Sequence, residues 1–400
     1  MRNPCRYAPR RHLPRAVALI LGAALASVVG LASGAAGESS SRDQLRAGDQ
    51  SLLGIWPIGD DTLWAFTQDV TALKGGGQGV ELTTDGARSW TNVTPPGLSV
   101  TGGNHWIIGI YPLSATKAWV VYGGGGIRSR QSLLYTGDAG HVWTKVGVLP
   151  ITNCVPQFVT RRDGTCTSYG AALGSMVLDI YRTSNGGASW HTIFDNWPDV
   201  TSGRFPAGSL PFGCDKRVQF TSATRGWALF LCNGGMASLY ETTDGGATWT
   251  DRPATPPMPS RYGSEFTRAP VFSGPRGAVA FATGNESLVY VTDNGGHSFT
   301  AVYPPERARA WCVDVVTPLQ WRFAYRNMIL ATNDGGKSWF AFTDDARKPV
   351  VLDRYGPDAP DVTFANNRQG WLTWDEGNGF LLMRTTDGGR EWKLLEVPGT

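Results

Sequence analysis

Four hundred residues with 51 glycines, 16 tryptophans and only 17% charged side chains describe a turn-rich, aromatic, all-β chain. The formal net charge of +3 belongs to one end. Residues 1–36 hold Arg2, Arg6, Arg10, Arg11 and Arg15 and no acid, so five of the 36 basic residues and none of the 33 acidic ones lie there, and the remainder stands at −2. That balance gives no ground for nucleic-acid binding.

The basic stretch runs into an apolar and small-residue segment, Ala16 to Ser33, and then Gly34-Ala35-Ala36. A basic start, an apolar middle and a small-residue end read as a signal segment over 1–36. An uncleaved anchor is the competing reading, since 18 residues is borderline for a membrane span. Arg10-Arg11 is a weak twin-arginine hint, interrupted by Pro14. Export implies a secreted, periplasmic or envelope protein in which disulfides can form. Residues 37–50 are polar and read as a flexible N-terminus.

From residue 51 to 400 one phrase organises the chain. Its sharpest copies are Thr242 to Trp249, Thr332 to Trp339 and Thr385 to Trp392, each Thr-x-Asp-Gly-Gly-x-x-Trp; looser copies end at Trp90, Trp143, Trp190 and Phe299. Asp-Gly between apolar runs is a hairpin signal, because glycine tolerates the positive φ of a tight turn and Asp accepts hydrogen bonds from the turn's own backbone. Seven copies spaced roughly 50 residues apart match the period of propeller blades. Around each copy a four-strand unit A–B–C–D is expected, with the phrase between C and D.

Blade 1 reads Ile55 to Ile58, Leu63 to Phe66, Val80 to Leu82 and Ser89-Trp90. Blade 2 has Ile107 to Tyr111, Ala118 to Val121, Leu133 to Tyr135 and Val142-Trp143. Blade 3 is the outlier, with Phe158 and Val177 to Tyr181 but no clear strand B tryptophan. Blade 4 is the fullest: Val218 to Phe220, Gly226 to Phe230, Ser238 to Glu241 and Thr248 to Thr250. Blade 5 carries Ala278-Val279-Ala280 where others have Trp, and blade 6 uses Trp321-Arg322-Phe323. Blade 7 repeats blade 4 with Val362 to Phe364, Gly370 to Leu372, Leu381 to Met383 and Glu391 to Leu394. The fold class is therefore all-β, a seven-bladed propeller of four-stranded antiparallel blades. Blade 7 packing on blade 1, aided by residues near 42–50, would close it.

Outside the leader there are five cysteines. An A–B hairpin centred on Ala223 places Cys214 opposite Cys232, the better disulfide candidate; Cys154 with Cys166 is the second, in less clean register, and Cys312 is left over. None has metal-site spacing, so no metal or cofactor is expected.

The phrase resembles the Asp-box, or BNR, repeat of sialidases, and the Gly-Trp strand before it resembles the photosystem II assembly-factor type of propeller. The resemblance covers roughly 51–397. It implies that Asp85, Asp138, Asn185, Asp244, Asn294, Asp334 and Asp387 are fold elements on the face opposite the ligand site, with Asn at two copies and Ala87 in place of a Gly in the first. Spread one per blade, these carboxylates cannot converge on a metal or a sugar. The sialidase Arg-Ile-Pro is absent; Arg204-Phe205-Pro206 lies between blades 3 and 4.

By exclusion the binding residues should lie on the other face, in the B–C loops and the D–A links. The links carry His105-Trp106, Arg204, Arg261-Tyr262 with Glu265, Arg307, Arg309 with Trp311, and Arg354-Tyr355; the blade 7 B–C loop adds Trp374-Asp375-Glu376. The candidate ligand residues are Arg204, Arg261, Tyr262, Arg309, Trp311, Arg354, Tyr355 and Trp374, suited to a carboxylate, an acidic peptide or an anionic sugar. The expectation is a non-catalytic, monomeric protein that binds a protein or peptide or an envelope glycan, with no nucleic acid and no membrane contact unless the leader is retained. The alternative is a glycoside hydrolase using carboxylates among Asp375, Glu376, Glu265 and Asp353. Pro253 to Pro259 reads as a stiff connector, and Asn92-Val93-Thr94 and Asn285-Glu286-Ser287 match the glycosylation acceptor pattern.

Overall fold

A computed structural model describes residues 50–69, 77–98, 106–124, 129–170, 177–195, 207–210, 215–231, 236–255, 258–259, 265–266, 269–282, 287–305, 312–324, 328–343, 361–375 and 380–395. They form seven antiparallel sheets in chain order, each built as A–B–C–D. In blade 1 the strands are Gln50–Pro57, Leu63–Asp69, Gln78–Thr83 and Thr91–Asn92. In blade 4 they are Asp215–Phe220, Gly226–Leu231, Met236–Thr242 and Thr250–Arg252. Blade 1 strand C is buried along its length while both residues of strand D are exposed, so D is the outer edge. Leu52, Ile55 and Leu63 of blade 1 pack with Trp371 and Leu382 of blade 7, which closes the ring. The leader, residues 37–49 and Cys5 lie outside the described residues.

One register recurs. Strand B pairs a leading residue with the turn threonine of strand C: Gly226 with Thr242, Leu63 with Thr83, Ala118 with Thr136, Gly164 with Thr183, Gly277 with Thr292 and Gly370 with Thr385. The next residue points at the following blade, and there Trp64, Trp119, Trp227 and Trp371 are fully buried. Trp119 stacks on Phe158 of blade 3 at 3.7 Å and Trp227 on Phe272 of blade 5 at 5.5 Å. The aromatic that closes each turn packs the opposite way, as Trp249 does against Leu178 and Ile180 of blade 3. Each such seam thus takes a ring from both sides, and aromatic rings bury the largest apolar areas of any side chains.

Three seams depart from this. In blade 5 the tryptophan position holds Ala278. In blade 6 the register is the same, but the leading position opposite the turn threonine, Thr332, is held by Trp321 itself. Trp321 therefore points backward, into a buried cluster with Ala278, Ala280 and Val289 of blade 5, and fills the space the alanine leaves. Its forward-pointing neighbour is Arg322, 2% exposed, whose guanidinium donates to the carbonyls of Thr332 (3.2 Å) and Asn367 (3.1 Å) and lies 5.5 Å from the Phe364 ring. Burial pulls the Arg322 group down to about 10, against the opposing pull of Asp314. In blade 3, strand B is Gly164–Gly170, and the tryptophan position holds Thr165.

Several connections differ from the sequence reading. The Pro253 to Pro259 connector contains two short strands: Ala254–Thr255 runs parallel to Phe299–Thr300 on blade 5, and Met258–Pro259 pairs with Met236–Ala237. Glu265 belongs to strand A of blade 5, opposite Ala282, and Trp106 begins strand A of blade 2. Trp374 and Asp375 are not in the blade 7 loop; they extend strand B, opposite Leu381 and Phe380. In each case ladder pairing continues beyond the last strongly apolar residue, which composition alone does not reveal.

Candidate functional site

The two faces of the ring are built by different rules. On the turn face, each of the seven phrases forms the same structure. In blade 4, the Thr242 hydroxyl donates to Asp244 Oδ1 (2.8 Å) and accepts from Gly246 N–H (2.8 Å); Asp244 Oδ1 accepts from Thr248 N–H (2.9 Å) and Oδ2 from the Thr248 hydroxyl (2.6 Å). The first residue after the acidic position then donates its N–H to the A–B turn of its own blade: Gly86 to Asp61, Ala139 to Thr116, Gly186 to Arg162, Gly245 to Thr224, Gly295 to Pro275, Gly335 to Leu319 and Gly388 to Arg368, all at 2.7–2.9 Å. Every blade is stapled at this end by one geometry. Gly245 and Gly246 sit at φ of 80° and 104°; Ala87 and Ala139 adopt φ of 67° and 63°, a conformation that costs a side chain roughly 1 kcal/mol.

At the two asparagine copies one polarity is reversed. The oxygens of Asn185 and Asn294 take the Asp role, while their Nδ2 groups donate to Ser189 and Ser298 (2.8 Å each). The turn survives without the charge. The aspartates are ionised tightly: the Ser89 hydroxyl holds Asp85 well below the usual carboxylate range, and Ser338 holds Asp334 at about 2. Each of these carboxylates is engaged by its own turn, through both oxygens at Asp85, Asp244 and Asp334 and through Oδ1 at Asp138 and Asp387, and with one per blade they do not converge on a ligand.

The other face carries the B–C loops and D–A links. Arg204, Arg261, Tyr262, Arg307, Arg309, Trp311, Asp353, Arg354, Tyr355 and Glu376 lie outside the described residues; Trp374 is placed at the loop-facing end of strand B in blade 7. What is described is how blade 2 is joined to blade 3. Gln131, 1% exposed, donates to the Gly124 carbonyl and accepts from Asn153 N–H (3.0 Å). Asn153 takes a φ of 63°, and Cys154 beyond it is bonded to Cys166 of strand B, Cα atoms 5.5 Å apart. In the ladder Cys166 faces Pro156, so the bond runs diagonally, two residues off register. Closing this 12-residue separation contributes about 3 kcal/mol by restricting the unfolded chain. Cys214 and Cys232 lie outside the described residues, flanking the described pair Asp215 and Leu231.

Carboxyl groups missed by the sequence reading also stand here. Asp179 and Asp195 face each other across strands C and D of blade 3, near the loop end. Burial, then the charge of Asp195 and a hydrogen bond to it, push Asp179 up to about 6. Two carboxyls that hydrogen-bond each other leave no room for the glycosidic bond a hydrolase pair must flank, which needs roughly 5 Å or more. In blade 1, Glu81 is 5% exposed and burial raises it to about 7, opposed by the Asn92 amide, which donates to it at 2.6 Å. The Asn92 acceptor pattern is therefore engaged in the fold, and Ser287 of the second such pattern is fully buried. A signal for Glu81 was present, an acid inside the otherwise apolar strand C of blade 1. Asp179 alternates with Leu178 and Ile180 and reads as an ordinary outward residue. Among the described residues no group of three or more His, Cys, Asp or Glu gathers as a metal site.

No family model and no curated protein matches the chain. Among solved structures it is similar to prolyl endopeptidases analysed for inter-domain dynamics, at 9% identity and a TM-score of 0.57; the match covers 90% of this chain and 53% of that one, so the chain spans about half the enzyme's length. It is also similar to YCF48 from Cyanidioschyzon merolae, at 15% identity and a TM-score of 0.48, covering 85% and 96% of the two chains. A third is the GH74 enzyme of Niastella koreensis, at 14% identity and a TM-score of 0.42, covering 86% and 59%. At such identities the likeness is one of fold, a β-propeller.

Proposed function

We propose that the chain is an exported, non-catalytic propeller that binds an acidic protein or peptide segment, or an anionic envelope glycan, through its B–C and D–A loop face. The observation that carries this reading is the division between the faces. The turn face repeats one turn geometry seven times, so it has little to offer a partner that differs from blade to blade. The irregular segments, with their Arg and aromatic residues, are the B–C loops and D–A links, which a rigid ring would present on the opposite side. The repeated turn is read as an Asp-box, its acidic residues serving the frame. Arg261, Arg309 and Arg354 would supply forked donors to carboxylates, with Tyr262, Trp311, Tyr355 and Trp374 as flat contacts beside them.

A pull-down from the envelope fraction tests this with wild-type protein and the Arg261→Ala/Arg354→Ala variant, alongside a screen on chromogenic glycosides. The proposal expects a partner that is lost on double substitution, and no glycoside turnover. A partner retained equally by the variant overturns the site. Reproducible turnover by wild type overturns the function in favour of a hydrolase.

A further inference from the structure

Two of the seven turns replace Asp-Gly with a pair that reacts with itself: Asn185-Gly186 and Asn294-Gly295. In an Asn-Gly pair the glycine amide nitrogen, unshielded by a side chain, attacks the asparagine Cγ. The new N–Cγ bond closes a five-membered imide, the Cγ–Nδ2 bond breaks, and ammonia leaves with the proton given up by the glycine N–H. Water then opens the imide. Cleavage of the N–Cγ bond gives aspartate in an ordinary backbone; cleavage at the main-chain carbonyl gives isoaspartate, with an extra methylene in the chain. Asn185 and Asn294 are both exposed, so water and base reach them.

The fold engages the nucleophile elsewhere. Gly186 donates its N–H to the Arg162 carbonyl at 2.8 Å, and Gly295 to the Pro275 carbonyl at 2.7 Å. The asparagine side chains are fixed as well, each oxygen accepting from a threonine hydroxyl and from the N–H four residues on, at 2.7–3.1 Å. Both glycines are also held from the preceding blade. The Trp119 indole of blade 2 donates to the Gly186 carbonyl (3.2 Å), and the Arg225 guanidinium of blade 4 to the Gly295 carbonyl (2.7 Å). At three aspartate copies the corresponding donors, Trp64, Arg322 and Arg384, reach the A–B turn instead, at the carbonyls of Ser114, Asn367 and Asp60. Inside the turns the order is reversed. Trp249, Trp339 and Trp392 donate to the second glycine of their own phrases at 3.0–3.1 Å, whereas Trp190 Nε1 has no partner and Phe299 has no donor to give. The two asparagine turns are tied to a neighbouring blade where the three sharpest aspartate turns are tied to themselves.

We propose that Asn185 and Asn294 are conditional deamidation sites, kept intact by the closed ring and converted to aspartate or isoaspartate when the seam beside them opens. Aspartate fits in place. At Asp85, Asp244 and Asp334 the second oxygen accepts from a hydroxyl at 2.5–2.6 Å, so Ser189 and Ser298 need only turn from acceptor to donor. Isoaspartate does not fit, because the added methylene moves the glycine N–H off its partner carbonyl. The modification concerns the turn face and is independent of loop-face binding. The test is incubation of the full chain at pH 8, with peptide mapping by mass spectrometry that separates Asn, Asp and isoAsp at both positions. Folded wild type should convert at least about 30-fold more slowly than the same chain in guanidinium chloride, since attack proceeds only from an opened turn. Trp119→Phe keeps the ring and removes the donor; it should speed conversion at Asn185 by about 5-fold, the worth of one hydrogen bond, and leave Asn294 unchanged. Arg225→Met should do the same at Asn294 alone. Protection of wild type below about 30-fold, or folded variants that speed neither site or both sites equally, overturns the proposal. Should Trp119→Phe fail to fold, Arg225→Met and the wild-type comparison decide alone.

Discussion

Three seams of the ring lack the forward-pointing strand B tryptophan that the others share; one holds the buried Arg322, and the other two have been treated differently. Between blades 5 and 6, Ala278 leaves a gap that Trp321 fills from the opposite side, because it stands in the leading, backward-pointing position of its strand. Between blades 3 and 4, no ring replaces the tryptophan; Arg182 and Phe220 close over Thr165 and leave room for about one water. The first is a packing exchange: volume is conserved across the seam although neither sheet conserves its own residue, which is what close-packed interiors demand. The second is a collapse of neighbours round a smaller side chain, which leaves the buried Thr165 hydroxyl without a partner.

The largest expected effect breaks the exchange. Trp321→Gly should lower the unfolding free energy by about 3–5 kcal/mol, the range for deleting a buried ring, measured by denaturant titration. Adding Ala278→Trp to it recreates the ordinary arrangement of the blade 4/5 seam and should restore at least about 2 kcal/mol, although Ala278→Trp alone over-packs and destabilises. Strict additivity of the two changes would mean that the residues do not share one space.

Electrostatics gives the next. Glu81 has a folded value near 7 against an unfolded 4.5, so the fold binds more protons there. The stability it allows is full below about pH 4.5 and is lost as pH rises through 7. Glu81→Gln, which keeps the acceptor for Asn92, should gain about 2–3 kcal/mol over wild type at pH 8 and almost nothing at pH 4.5. The aspartate turns work in the opposite sense. With folded values depressed, as at Asp334, they contribute stability above about pH 4 that is lost as pH falls toward 2, and blades 3 and 5, with Asn185 and Asn294, are exempt from that loss. Within one turn, Thr242→Val strands the buried Gly246 N–H and should cost about 1–3 kcal/mol at any pH.

Much of this frame was legible in the sequence, because a turn that demands positive φ, a buried threonine and a closing aromatic leaves a pattern at fixed spacing. Blade count, strand order and the A–B hairpin register of blade 4 follow from it; Val218 does face Ala228 and Phe220 does face Gly226. Which face a ring points to was not legible. Trp321-Arg322-Phe323 reads like any other strand B, and only its pairing with Thr332 shows that the tryptophan holds the leading position and the arginine the forward one, since neighbours on a strand point to opposite faces. The same holds for Thr165, unremarkable in Gly-Thr-Cys until its register equates it with Trp227. Of the loop-face candidates, Trp374 is placed, on a strand end; the arginines lie outside the described residues. The Cys154–Cys166 bond was hard to rank by register because it is diagonal.

The smallest expected effect tests most directly the claim that the blade 3/4 seam has closed round Thr165 and left its hydroxyl unmet. Thermal and denaturant unfolding of Thr165→Val should show a protein about 1 kcal/mol more stable than wild type, because the side-chain volume is kept and an unpartnered buried hydroxyl is removed. A Thr165→Val variant less stable than wild type would contradict it.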